Sequence, residues 1–265
     1  MTRLTQQIRN GNVAIPYLRA LTALQRSPEA NRHLAYILST VAGAVNAGGF
    51  LAVQQYTSHM SGIVSSMADY LALGSLIVVL QGAGALMSFV AGAAASAFLI
   101  NLGRRAHLSS GYALPLAFEA ALLLAFGLLG ANLEQHRWLY LPVTVMLLCF
   151  IMGLQNAMIT KVSRAEIRTT HITGMVTDIG IELGKLCYWN VAQVDDPALH
   201  VRADRAKLRV LTTLVMLFFA GGVGGAYAFA HFGFGATLPL AGALALLAAV
   251  PMADDLRQGW RWGRR

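Results

Sequence analysis

LIVVLQGAGALMSFVAGAAASAFLI, residues 76–100, contains no charged residue. A helix needs about 20 apolar residues to cross the hydrocarbon core of a bilayer. Because lipid offers no partners to backbone N–H and C=O groups, an apolar run of this length must be helical. The whole chain has the same character: 56% of its 265 residues are hydrophobic and 12% are charged, against about 25% charged in a typical soluble domain. The mean hydropathy is +0.56, and the sequence predicts an all-α integral membrane protein.

Further apolar runs of this kind recur along the chain, which predicts a polytopic bundle of about six transmembrane helices. The segments 57–74 and 170–187 are each long enough for a short full crossing, so a bundle with eight spans stays open as an alternative. The apolar runs cover 34–56, 76–100, 112–130, 138–159, 210–230 and 236–253.

The charges predict the orientation, because positive residues favour the cytoplasmic side. With six crossings and a cytoplasmic N-terminus, all of the 20 lysines and arginines except Arg137 fall in cytoplasmic segments. Both termini are therefore expected in the cytoplasm. The net charge of +8 then needs no nucleic acid to explain it, and the predicted partner is the lipid bilayer. Residues 1–33 predict no secretory signal, and VAIPYLRALTALQ within them reads either as a short amphipathic surface helix or as an irregular tail.

A histidine-centred hexapeptide occurs twice: TSHMSG at 57–62 returns as TTHITG at 169–174. GAVN at 43–46 precedes the first copy by about the distance at which GLQN at 153–156 precedes the second. The chain therefore divides into two related units with three crossings each, and an odd number of crossings makes the second unit inverted relative to the first. Each unit is expected to carry a short re-entrant or broken helix at its histidine motif. The predicted divisions are a basic N-terminal tail (1–33), repeat 1 (34–131), an external linker (132–137), repeat 2 (138–253) and a basic C-terminal tail (254–265).

The residues of the two motifs suit an irregular helix start that handles a solute. Thr57 or Ser58 in the first motif are good N-cap residues, and helix N-termini attract anions or carbonyl oxygens. A histidine can donate, accept or carry a proton near neutral pH. The alternative is that these residues only cap and pack two short helices. The candidate pathway residues are Asn46, Thr57, His59, Ser61, Gly62, Asn156, Thr169, His171, Thr173 and Gly174.

Two carboxyl groups are candidates for proton coupling. Glu119 lies inside the third apolar run, where burying an ionisable side chain is costly; the alternative is a protonated or helix-capping glutamate near the bilayer edge. Asp178 follows His171 by seven residues and falls on the same helical face. It either orients that histidine or is a solvated carboxylate at the cytoplasmic mouth.

The stretches AGAVNAGGFLAVQQYTSHMSG, GLQNAMITKV and IRTTHITGMVTDIG resemble the YoaK family of bacterial integral membrane proteins, which is classed as a domain of unknown function. The similarity extends over about 34–253. It implies a multi-pass protein of the bacterial cytoplasmic membrane and supplies no activity, substrate or catalytic residue. The family's first motif often reads SHMTGN, whereas Ile63 follows Gly62 here, so a ligand contact through that asparagine would be absent.

The favoured function is passive or proton-coupled movement of a small polar neutral or weakly anionic solute along a path lined by both histidine motifs. An enzyme is not predicted, because His59 and Ser61 do not share a helical face and no GxSxG or HExxH motif occurs. No cofactor and no metal site is predicted either. The alternative function is a non-transporting membrane partner or sensor, with the basic loop 185–209 as a docking surface, and a homo-oligomer is compatible with the sequence.

Overall fold

A computed structural model describes residues 14–22, 27–106, 108, 110–131, 137–162, 172–188 and 201–257. Every regular element in these ranges is helical, so the all-α prediction is confirmed for them. The helices are α1 Ala14–Thr22, α2 Pro28–Val53, α3 Met60–Ala72, α4 Leu76–Arg105, α5 Ala113–Ala131, α6 Arg137–Val162, α7 Ile172–Cys187, α8 Arg205–Phe232 and α9 Thr237–Arg257, and a 3₁₀ turn, Gly233–Ala236, joins the last two.

Within the described residues, five segments are long and apolar enough to cross a membrane, as expected of a membrane protein. The fifth has 53 residues and contains both α8 and α9, which hold the last two predicted apolar runs. A straight helix of that length would extend about 80 Å, far more than the hydrocarbon core of about 30 Å. The 3₁₀ turn divides it at Gly233, whose φ of 55° suits a glycine. The five segments are Pro28–Val53, Leu76–Arg105, Ala113–Ala131, Tyr140–Lys161 and Arg205–Arg257.

The two short helices α3 and α7 follow the two histidine motifs. They have 13 and 16 residues, and neither is among the candidate spans. Both fall short of the roughly 20 residues that a crossing needs. Gly74, at φ 78°, lies in the tight turn that leads from α3 into α4.

The N-terminal segment is helical over Ala14–Thr22, and this helix docks on the bundle. The guanidinium of Arg19 donates two hydrogen bonds to the carboxylate of Asp254 on α9. The hydroxyl of Ser110, in the α4–α5 connection, donates to the carbonyl oxygen of Thr22. Of the two alternatives for this segment, a helix is the one found over Ala14–Thr22, and it lies against α9; its position at a membrane surface stays a prediction.

Helices α2 and α8 pack backbone to backbone. A Cβ added at Gly43 would overlap the carbonyl oxygen of Phe218, and one added at Gly225 would overlap backbone atoms of Ala44. The hydroxyl of Ser39 donates to the carbonyl oxygen of Leu214 at 2.9 Å. Residue numbers rise together along these contacts, so the two helices run parallel.

Helices α4 and α6 repeat this arrangement. A Cβ at Gly92 would overlap the carbonyl oxygen of Phe150, and one at Gly84 would lie 3.7 Å from the sulfur of Met146. These two helices also run parallel. The remaining long helices, α5 and α9, run antiparallel, since Gly127 meets Thr237 whereas Gly130 meets Phe234.

These pairs define two ends of the bundle. The α1 end holds α1, the start of α2 and the end of α9, and the α3 end holds the end of α2, α3 and the start of α4. Between the ends, α2, α5, α6 and α9 enclose the main apolar core, which includes Leu34, Leu38, Leu116, Leu123, Leu148, Ile151 and Leu244.

Two adjacent glycines on α8 test the close packing. We expect Gly225→Ala to destabilise the protein by about 1–3 kcal/mol, because its methyl group must displace the α2 backbone at Ala44. Unfolding of the purified protein in detergent, followed as a function of added denaturing detergent, measures the change.

Gly224→Ala is the matched control, since no atom lies within 4 Å of a Cβ at that position. Its expected effect is a stabilisation of up to about 1 kcal/mol, from the higher helix propensity of alanine. Equal effects of the two substitutions would show that the α2–α8 contact is not as close as described.

Candidate functional site

A cavity of about 560 Å³ opens at the α3 end of the bundle. The end of α2, the connection 54–59, α3 and the first turns of α4 and α6 form its wall. Its polar lining is uncharged. Those polar side chains belong to Gln54, Gln55, Tyr56, His59, Ser66 and Gln81.

His59 connects the first motif to this cavity. It occupies the N-cap position of α3, its side chain is exposed, and it makes no side-chain capping bond. Its ring lies over Gly62, where an added Cβ would be 2.5 Å from Nδ1. The glycine of the motif is therefore required for the close approach of the ring, and both residues line the cavity.

Asn46 joins the first motif to α2 through Ser58. The Ser58 hydroxyl donates to Oδ1 of Asn46 at 2.8 Å. Thr57 is fully buried, and its hydroxyl has no hydrogen-bond partner. The prediction that Thr57 or Ser58 would be the N-cap is thus wrong, because Ser58 is engaged by Asn46 and the helix begins one residue after His59.

Ser61 does not line the cavity, whereas other polar residues that the motif analysis missed do. Ser61 is exposed on the first turn of α3. Gln54 and Gln55 directly follow the last residue of α2, and Gln81 is a polar residue within the charge-free run 76–100. Next to them the ring of Tyr56 stacks on that of Phe50, with 4.6 Å between centroids. An amide in an otherwise apolar run was the signal that could have identified Gln81.

The second motif lies partly outside the described residues, which begin again at 172. Thr169 and His171 therefore have no described position. Thr173 and Gly174 are exposed in the first turn of α7, and the carbonyl oxygen of Thr173 accepts a bond from the hydroxyl of Thr177 at 2.9 Å.

Helix α7 lies at the α1 end, opposite the cavity. Met175 packs there with Ala35 of α2 and with Leu211 and Leu214 of α8. Asn156, the counterpart of Asn46, is half-buried on α6, and its backbone carbonyl oxygen accepts a hydrogen bond from the Thr160 hydroxyl at 2.8 Å. The described parts of the two motifs are thus at opposite ends of the bundle and do not meet.

Charged side chains hold α7 to α8. Asp178 forms an ion pair with Lys207 at 3.3 Å, and both side chains are 44% exposed. Its predicted partner, His171, is outside the described residues. Glu182 is buried and accepts hydrogen bonds from Nζ of Lys185 at 2.9 Å and from the backbone N–H of Asp204 at 2.7 Å. The hydrogen bond from Lys185, followed by that from Asp204, holds the pKa of Glu182 below its usual value of 4.5.

Glu119 lies in the interior of the bundle on α5 and is fully buried. Neither of its carboxyl oxygens has a hydrogen-bond partner. The alternative of a helix-capping role is wrong, because Glu119 lies six residues inside α5 and neither of its carboxyl oxygens accepts a hydrogen bond. In the part of the chain that the structure describes, no three His, Cys, Asp or Glu residues form a metal-binding group.

Comparison with known proteins gives one match. A family model described as "Protein of unknown function (DUF1275)" matches residues 34–250, which include both histidine motifs and all six apolar runs except the last few residues of the sixth. No curated protein and no solved structure matches the chain.

The contact between Glu182 and α8 predicts a pH dependence. Because the folded-state pKa of Glu182 is lowered, its contribution to stability is present above the unfolded pKa of about 4.5 and is lost as the pH falls through the folded value. We therefore expect α7 to lose hydrogen-exchange protection as the pH falls below 4.5. Exchange of peptides from 172–188, corrected for intrinsic rates, measures this.

Glu182→Gln should lower the protection of α7 already at neutral pH and abolish its pH dependence. Helix α3 provides the internal control, because apolar contacts of Ile63 and Met67 hold it, and its protection should not change over the same range. A pH response of equal size in both helices would rule out Glu182 as its source.

Proposed function

The chain belongs to the family of proteins of unknown function DUF1275, which includes YoaK, so that the resemblance of its motifs is confirmed; from this premise we propose that it is a transporter or channel for a small solute. The observation that supports the proposal is the cavity of about 560 Å³ at the α3 end. Half-embedded short helices beside a polar cavity are a common construction of solute sites in membrane transporters.

We take the two halves to be inverted repeats. The order long, short, long, long occurs in α2–α5 and again in α6–α9. The parallel pair α2–α8 then corresponds to the parallel pair α6–α4, and α5 corresponds to its own antiparallel partner α9. This reading gives about six crossings, with α3 and α7 entering from opposite faces.

The α1 end is placed on the cytoplasmic side of a bacterial cytoplasmic membrane. Arg104, Arg105, Lys161 and Lys185 lie towards that end, whereas Arg137 starts α6 at the other end. Positive residues favour the cytoplasmic side. The cavity lined by His59 then faces the outside, and both termini face the cytoplasm.

The cavity lining favours a small polar solute. Among the described residues that line it, the hydrogen-bonding groups are glutamine amides, a serine, a tyrosine and His59, with no carboxylate, lysine or arginine. Such a lining suits a neutral solute, and a protonated His59 would also attract a weak anion. In this scheme the other candidate residues of the two motifs, among them Asn46 and Gly174, either line the path or hold its short helices in place.

Glu119 and Asp178 are the candidates for coupling to protons. Glu119 is the stronger, because it is buried without a charged partner, whereas Asp178 already pairs with Lys207. We propose no enzymatic activity, cofactor or nucleic-acid partner, and a homo-oligomer stays a prediction.

Two neighbouring serines on α3 test the path. Ser66 lines the cavity and Ser65 does not. In a Cys187→Ser background, which keeps the buried Cys149, we expect a cysteine introduced at position 66 to react with a membrane-impermeant thiol reagent from the outside. A transported solute should slow that reaction.

The Ser65→Cys variant is the matched control, and its reaction should be unaffected by the solute. If neither the rate nor the sidedness of labelling distinguishes the two positions, the cavity is not a solute path. The alternative function as a membrane partner or sensor would then be preferred.

Solute movement itself is measured by osmotic swelling of proteoliposomes, followed by light scattering. Glycerol, urea and acetate serve as neutral and weakly anionic probes. We expect His59→Ala to slow the swelling by about tenfold, since a lost hydrogen bond to a solute is worth about 1–3 kcal/mol.

His231→Ala is the control for this experiment. His231 is exposed near the same end of the bundle, at the end of α8, and contacts the carbonyl oxygen of Tyr227. Its replacement should leave the swelling rate unchanged. Swelling no faster than that of empty liposomes with every probe would count against transport of this class of solute.

A further inference from the structure

Two stacked aromatic rings form part of the wall of the cavity at the α3 end. The ring of Tyr56, in the connection between α2 and α3, lies nearly parallel to that of Phe50 on α2, with 4.6 Å between centroids and 19° between the planes. Both residues line the cavity. Although Phe50 covers part of Tyr56, that residue is still 50% exposed. The pair therefore presents a flat aromatic surface that can accept a further ring.

Three glutamine side chains share the cavity with these rings. Gln54 and Gln55 directly precede Tyr56, and Gln81 lies on α4. All three glutamines are exposed. An amide group carries one acceptor oxygen and two N–H donors. Gln54 uses one donor on the carbonyl oxygen of Leu51, at 3.4 Å, which leaves its amide oxygen and its other N–H for a ligand.

The cavity wall beside Gln81 is apolar and polarisable. A Cβ added at Gly82 would lie 2.9 Å from the sulfur of Met67 on α3, and one added at Gly84 would lie 3.7 Å from the sulfur of Met146 on α6. Both methionines line the cavity. Thioether groups are flexible and make favourable contacts with aromatic rings. The amide of Gln81 is thus a single polar group between two side chains that suit the faces and edges of a ring.

The charge of the lining limits the class of ligand. Among the described residues that line the cavity, none is a carboxylate, a lysine or an arginine. A ligand with a fixed charge would give up hydration there and gain no opposite charge in return, which is costly. The lining is therefore suited to a ligand that is polar at its edge and neutral as a whole.

We propose that the cavity binds a neutral planar heterocycle of the nucleobase type, which stacks on Tyr56 and pairs along its edge with the glutamine amides, Gln81 among them. Proteins recognise unpaired bases by the same two contacts, stacking on aromatic side chains and hydrogen bonds to the base edge. Glutamine is a common partner for such an edge, because its donor and acceptor lie side by side. The volume of about 560 Å³ is that of an ordinary small-molecule pocket.

The exposure of Tyr56 has a second explanation, since tyrosines are enriched where a membrane meets water. Tyr227 on α8 shows what such a residue looks like at the same end of the bundle. It is 62% exposed, and its ring stacks on that of His231 with 4.0 Å between centroids. Tyr227 does not line the cavity, and α8 contains no glutamine. The combination of the stacked rings with three amides in one cavity is what distinguishes Tyr56.

This inference names the substrate class of the proposed transport site, and as a statement about transport it rests on the proposed function. Binding itself requires no movement across the membrane and is measured at equilibrium. A protein that binds the heterocycle and does not move it would fit the alternative function as a sensor, so the two proposals can fail separately.

Equilibrium dialysis of the purified protein in detergent against labelled adenine and labelled uracil tests the proposal. We expect saturable binding of at least one of the two bases. The nucleoside monophosphate of the same base should bind at least about tenfold more weakly, because the lining has no cation for its phosphate. Failure of both bases to bind saturably overturns the proposal, and equal binding of base and monophosphate overturns the neutral class of ligand.

Two substitutions of Tyr56 separate the contribution of its ring from that of its hydroxyl. Tyr56→Phe keeps the ring and should change the affinity by less than about twofold, whereas Tyr56→Leu should lower it by about tenfold. Tyr227→Leu is the matched control and should leave the affinity unchanged. If Tyr56→Phe and Tyr56→Leu lower the affinity equally, or if neither does, the stacking is overturned.

Gln81→Leu tests the edge of the ligand, and it stays informative if Tyr56→Leu does not fold, because leucine suits an exposed position on an apolar helix. We expect it to lower the affinity by about tenfold through the lost hydrogen bond. Asn101→Leu, which replaces an exposed amide near the other end of α4, is the control and should have no effect. An unchanged affinity in Gln81→Leu overturns the pairing with the amides.

Discussion

Direct contact between helix backbones at glycine is the constraint on which the rest of this structure depends. Lipid tails are as apolar as leucine, so helices in a bilayer gain little from the hydrophobic effect when they associate, and close packing has to supply the attraction. At Gly43 on α2 and Gly92 on α4, the carbonyl oxygen of a neighbouring helix occupies the place of a side chain. These contacts fix the position of α2 along the axis of α8, and of α4 along the axis of α6.

The two short helices take their positions from those pairs. Helix α3 rests on α4, where Met67 fills the space beside Gly82, and the preceding connection is tied to α2 by Ser58 and Asn46. Helix α7 rests on α8 through Met175 and through the hydrogen bond from the N–H of Asp204 to Glu182. A cavity next to α3 exists because this helix, with 13 residues, is much shorter than the long helices beside it and leaves part of their length uncovered.

Apolar periodicity and motif repetition were sufficient to predict the helices and the place of the first site, and insufficient to predict the contacts within it. The runs correspond to helices because lipid leaves the backbone no alternative. The approximate place of His59 follows from its position after an apolar run. The packing of α2, α3 and α4 determines these contacts, and no local pattern encodes that packing. It brings Ser58 to Asn46 and places Gln54, Gln55 and Gln81 around one cavity.

The same reasoning explains why Gln155 escaped notice beside Asn156. An asparagine that recurs in both copies attracts attention, whereas a glutamine that aligns with a valine of the other copy looks like sequence divergence. Burial reverses that weighting, because an amide oxygen without a partner in an apolar core carries an energetic cost that a half-exposed asparagine does not. Helix α2 then connects the two polar regions: its Asn46 binds the connection that leads to His59, and its Leu38 carbonyl accepts a bond from Gln155, eight residues or about 12 Å deeper. A displacement of α2 along its axis would therefore act on the connection that leads to His59 and on the buried amide of Gln155 together.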